Sequence, residues 1–109
     1  MTTLLLALAL LPAPPQTVKT VQELRDAVAK ARPGSRITVA AGDYEGGLHL
    51  SNVRGEAGKP VVIAAADPKK PPVFTGGDTG LHLSEAAHVE LHDLIFAGAK
   101  HNGVNVDDG

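Results

Sequence analysis

Residues 80–108 read GLHLSEAAHVELHDLIFAGAKHNGVNVDD. The alternating run Gly80-Leu81-His82-Leu83 returns 23 residues later as Gly103-Val104-Asn105-Val106. An earlier copy, Gly47-Leu48-His49-Leu50, stands 33 residues before Gly80. Between the later two copies lies a third apolar run, Val89 to Phe96, broken by His92 and Asp93. A short strand recurring every ~20–45 residues marks a solenoid, whose coils bury their apolar faces only against their neighbours. The repeat therefore predicts a parallel β-helix.

Composition points the same way. The chain has 109 residues, enough for one domain at most. It is 43% hydrophobic, but Ala, Val and Leu dominate, and Tyr44, Phe74 and Phe96 are its whole set of aromatics. A narrow core of stacked small aliphatic residues suits this better than a globule built on large side chains. The 12 glycines and 8 prolines imply many turns. A net charge of −2, without a basic patch interleaved with aromatics, argues against nucleic acid as a partner. With no cysteine, disulfides, thiolate metal sites and a Cys nucleophile are excluded.

Leu4 to Leu11 is an unbroken apolar run followed by Pro12-Ala13-Pro14-Pro15. It is far short of the ~20 residues of a membrane span. It fits the apolar region of a secretory signal, about 7–15 residues long, although Met1-Thr2-Thr3 lacks the usual Lys or Arg. The expectation is export, with cleavage between Ala13 and Thr17, and residues 1–16 are set apart as a signal peptide. The mature domain is then 17–109, secreted, periplasmic or at the cell surface.

A helix is predicted over 20–32. Val21, Leu24, Val28 and Ala31 make one apolar stripe. Thr20 and Glu23 form a capping-box pattern, Lys30 and Arg32 complement the dipole of the last turn, and Pro33-Gly34 ends it. A lone amphipathic helix must cover something made of strands. The first coil of a solenoid, with its open interior, is such a surface, and an ordinary sheet is another. Strands follow at Arg36–Ala40, Leu48–Leu50, Val61–Ala66 and Val73–Thr75, with Ala41 to Tyr44 read as a turn and Asn52 to Pro60 as a polar loop. No helical pattern separates these strands. That excludes βαβ units and leaves a β-helix or a meandering sandwich.

The segment Leu24-Arg25-Asp26-Ala27-Val28, continuing through Ala31-Arg32-Pro33-Gly34-Ser35-Arg36-Ile37-Thr38-Val39 to Gly42-Asp43-Tyr44, resembles the opening of secreted right-handed parallel β-helix proteins. These are the pectate-lyase-like superfamily, in particular the alginate lyase and chondroitinase B group. Their pattern is a helix, Pro-Gly-Asp, a hydrophobic strand and Gly-x-Tyr; Ser35 stands here where Asp is usual. Gly55-Glu56-Ala57-Gly58-Lys59-Pro60-Val61-Val62-Ile63 is similar to that group's loop into the next strand, and Asn102 to Gly109 resembles repeat-containing β-helix proteins. The resemblance runs from Val18 to Gly109. It implies an all-β, right-handed, single-stranded parallel β-helix with an N-terminal capping α-helix. The same scaffold hosts lyases, hydrolases, epimerases and adhesins, so fold does not fix activity. In the lyase members, the catalytic Lys and Arg and the calcium-binding acids lie in central coils. No residue here matches them, so no catalytic residue and no metal ligand is assigned. Calcium belongs, on this resemblance, to the complete protein.

Alternation sends Leu48, Leu50, Leu81, Leu83, Val104 and Val106 inward, and His49, His82, Asn105 and Asp107 outward. If the three copies stack in register, His49, His82 and Asn105 form an outward ladder. Such a ladder could hydrogen-bond an extended polysaccharide; it is equally what a solvated strand face looks like. His82, His88, His92 and His101 fall within twenty residues, but strand geometry does not converge them on one ion. Asp107-Asp108-Gly109 reads as a turn or as the start of an oxygen-ligand calcium site. Glu90 and Asp93, three apart on a strand, take opposite faces.

The chain closes on a turn just after a strand, so it is expected to be the front part of a longer protein. Two functions remain. One is an exported polysaccharide lyase-like enzyme acting on an acidic glycan, with its active site downstream. The other is a non-catalytic glycan-binding or structural surface protein.

Overall fold

A computed structural model describes residues 16–107. The signal peptide assigned to residues 1–16 lies, but for Gln16, outside the described residues. Strand β1 (Gln16–Val18) precedes helix α1 (Val21–Ala29). Nine strands follow: β2 (Arg36–Val39), β3 (Asp43–Glu45), β4 (Leu48–Ser51), β5 (Val61–Ala65), β6 (Val73–Thr75), β7 (Thr79–Ser84), β8 (Val89–His92), β9 (Ile95–Ala97) and β10 (Asn102–Asp107). The architecture is all-β with one short helix.

The strands form three sheets, here A (β1-β2-β5-β8), B (β3-β6-β9) and C (β4-β7-β10). Every pairing between these strands is parallel. From β2 onward the chain visits A, B and C in turn, three times over. A meandering sandwich would need antiparallel neighbours, so that alternative is excluded. In sheet C the register is Leu48↔Leu81 and Leu81↔Val104. The two sequence offsets are therefore the lengths of successive circuits.

The core fills the space between the sheets. Leu48, Leu50, Leu81 and Leu83 of sheet C meet Val39, Val61 and Ile63 of sheet A, all buried. Burying each such aliphatic side chain contributes ~1.5–3 kcal/mol. Sheet B supplies a column of rings. Phe74 stacks on Tyr44 at 5.0 Å and on Phe96 at 5.1 Å. Each ring occupies the middle position of its three-residue strand, and register puts the three above one another.

The corner between sheets B and C is tight. A Cβ at Gly46 would collide with the carbonyl of Gly76, and one at Gly77 would lie 2.5 Å from the Gly47 nitrogen. The two Gly-Gly corners touch backbone to backbone, which no larger residue allows.

Helix α1 buries Leu24, Ala27 and Val28 against the core, with Val21 and Ala31 half-buried. It is shorter than the predicted 20–32. Lys30 is the C-cap and Arg32 lies beyond it, so neither sits in the last turn. The last turn tightens, the Ala31 N–H donating to the Val28 carbonyl three residues back, and Arg32, before Pro33, is kept out of the α region. The Thr20 hydroxyl accepts the Glu23 N–H at 3.0 Å as expected. The Glu23 carboxylate reaches one residue further back, to the Lys19 N–H at 2.7 Å.

Three other expectations change. Asp43–Tyr44, read as part of a turn, belongs to strand β3. The run Val89 to Phe96 is two strands on different sheets, divided at Asp93, whose φ is 58°. Val53, placed in a polar loop, is buried in the core.

Candidate functional site: the outer row of sheet C

The row begins as a consequence of register. His49 pairs with His82, and His82 with Asn105. Their neighbours two residues on form a second row, Ser51↔Ser84↔Asp107. Because adjacent strands lie ~4.8 Å apart, two like side chains in register must stack or splay. Here they stack: the rings of His49 and His82 lie 4.6 Å apart and 8° from parallel.

The two rows are tied together. The Ser84 hydroxyl lies 2.8 Å from His49 Nε2 and 3.0 Å from the Ser51 hydroxyl. His49, Ser51 and Asn105 are exposed, as alternation predicts. His82 is not fully open: it is half-buried, and its Nε2 is enclosed without a hydrogen-bond partner among the described residues. The His49 ring over it and the strands on either side account for this. A shielded imidazole nitrogen with unused capacity is costly unless a ligand or water reaches it.

The inward partners show a gradient. Leu81 and Leu83 are buried, whereas Val104 is 40% and Val106 59% exposed. Both valines stand in register with the leucines, but among the described residues no strand pairs with the outer side of β10.

The remaining histidines do not join the row. His92 lies on β8 of sheet A, 2.8 Å from Glu90, with both side chains 52% exposed. This pair is not among the residues singled out from the sequence, although residues two apart on a strand share a face. His88 sits at φ 52° just before β8, and His101 just before β10. Among the described residues no group of three or more His, Cys, Asp or Glu comes together as a metal site.

The arrangement offers both donors and acceptors along a line, with imidazole faces and hydroxyls but few fixed charges.

Comparison with known proteins agrees with the fold. The family model described as chondroitinase B matches residues 18–107. No curated protein and no solved structure matches the chain.

Proposed function

The chain belongs to the chondroitinase B family, and from that premise we propose an exported, polysaccharide lyase-like protein that holds an acidic glycan along sheet C. The fold we assign is a right-handed parallel β-helix, capped by β1 and α1. The observation that carries the reading is the family match over residues 18–107, nearly the whole described segment. The row His49, His82 and Asn105 supports it, because an extended sugar chain needs hydrogen-bonding side chains repeated along its length. Export rests on the apolar run Leu4–Leu11 and on the secreted character of the resembling proteins. Among the described residues no helix is long and apolar enough to cross a membrane.

Elimination at a uronic acid needs a group that neutralises the carboxylate and a base for the C5 proton. The row of sheet C carries neither a Lys nor an Arg. Its role in this reading is to bind and align, and the proton-abstracting group and any calcium belong to other residues.

A second reading, a non-catalytic glycan-binding or structural surface protein, is favoured by the want of a Lys or Arg in the row. The test is to incubate the full chain with polyuronides and glycosaminoglycans and to follow the ultraviolet absorbance of unsaturated uronate. Affinity electrophoresis in gels containing the same polymers is run beside it. Absorbance growth together with retardation establishes the lyase-like reading. Retardation alone favours the binding protein. Neither effect on any acidic polymer refutes both.

A further inference from the structure

The row on sheet C does not stop at β4. Helix α1 lies beside that strand, and together they enclose a cleft of 270 Å³ lined by Arg25, Val28, Ala29, His49, Leu50 and Ser51. Two of these, His49 and Ser51, open the two polar rows already described. Arg25 of α1 lines the same cleft.

We infer that Arg25, His49 and Ser51 form a subsite for the anionic group of an acidic sugar residue, a carboxylate or a sulfate. This rests on the reading of sheet C as a glycan-binding face. Two observations lead to it. First, Arg25 is unused by the fold: it is exposed and has neither an ion pair nor a side-chain hydrogen bond among the described residues. The acids of its own helix are engaged elsewhere, Asp26 with the Gln22 amide at 3.0 Å and Glu23 with the Lys19 N–H. A guanidinium presents a planar fork that matches carboxylate and sulfate oxygens and is weakly hydrated, so it exchanges water for an anion readily.

Second, the cleft is built like a small-ligand site. Val28, Ala29 and Leu50 give it apolar walls, and Arg25, His49 and Ser51 are its polar lining. Its volume falls just under the range of about 300–1,000 Å³ typical of drug-sized ligands, so it admits one ring and not a folded oligomer. The Ser51 hydroxyl spends one contact on Ser84 and keeps capacity for a ligand oxygen.

The test measures affinity by titration calorimetry on the full chain. The probes are three oligosaccharides of equal length: an unsulfated uronate oligomer, a sulfated neutral galactan oligomer and a neutral glucan oligomer. The proteins are the natural chain, Arg25→Gln, Arg25→Lys, His82→Ala and Lys69→Gln. Arg25→Gln should weaken an acidic probe about tenfold, the order expected for one charge-assisted hydrogen bond at an exposed site. Arg25→Lys should recover part of that, the neutral probe should not respond, and Lys69→Gln should behave as the natural chain. Which acidic probe responds tells carboxylate from sulfate. Thermal unfolding of Arg25→Gln should be unchanged, because Arg25 makes no contact that the fold uses. If His82→Ala weakens acidic binding and Arg25→Gln does not, the subsite is refuted while the glycan-binding row stands. Equal losses in Arg25→Gln and Lys69→Gln would reduce the effect to net charge and also refute it. If the natural chain binds none of the probes, the row and the subsite fall together.

Discussion

Truncating Phe74 to alanine tests whether the aromatic column holds the circuits together. Phe74 is 1% exposed and lies between Tyr44 and Phe96, with ring centroids at 5.0 and 5.1 Å. Removing a buried Phe ring costs ~3–5 kcal/mol, through lost transfer energy and the cavity left behind. Each stacked pair is worth ~0.5–1.5 kcal/mol beyond area burial, which places this site toward the upper end of that range. Such a loss is a large share of the ~5–15 kcal/mol that stabilises a typical domain. With a urea slope of about 1–3 kcal/mol/M, the midpoint should fall by roughly 2 M. The assay is urea unfolding of the full chain followed by far-ultraviolet circular dichroism. Phe74→Leu, which fills much of the space but stacks on nothing, should lose only ~1–2 kcal/mol. A Phe74→Ala midpoint within about 0.5 M of the natural chain, at unchanged slope, would refute the column as a source of stability.

Three further outcomes follow from the same geometry. Gly46→Ala forces a Cβ onto the Gly76 carbonyl and should destabilise by ~1–3 kcal/mol, read as an earlier thermal midpoint; an unchanged midpoint would show that the corner is slack. Glu85 holds φ 52° at the corner where Asn52 holds φ 59° one circuit earlier. Glu85→Asn should therefore stabilise by ~0.5–1 kcal/mol in the same assay, and a loss of stability would sink the idea. Burial, reinforced by the Glu23 carboxylate, raises the Tyr44 phenol above its ordinary value of 10.0. The folded chain binds that proton more tightly than the unfolded chain. Its contribution is whole below the ordinary value and is lost as the pH climbs through the raised one. Tyr44→Phe should flatten the alkaline fall in stability, at a cost of ~1 kcal/mol for the lost hydrogen bond to the Ala40 carbonyl. An unaltered alkaline slope would show that Tyr44 is not responsible.

Sheet C was legible before any coordinates, because it is the one sheet whose strands carry a leading glycine and strict alternation in all three copies. Leu48, Leu81 and Val104 could be aligned by eye, and register bears that alignment out. Sheet B was largely invisible. Its strands are three residues long, too short for a period of two to declare itself, and Asp43-Tyr44 reads as part of a turn. The Glu90–His92 pair follows no helical spacing; the two side chains meet across one strand pleat.

The sequence alone determined the period, the inward and outward sets of sheet C, the capped helix and the family, because each depends on local spacing along the chain. Tertiary structure decided the rest. Whether His49 and His82 stack or splay, whether His82 Nε2 is shielded, and whether Arg25 lines one cleft with His49 and Ser51 all depend on how one circuit lies on the next. Those distances are set by packing between residues some 24 to 35 positions apart, which no periodicity within a single strand encodes.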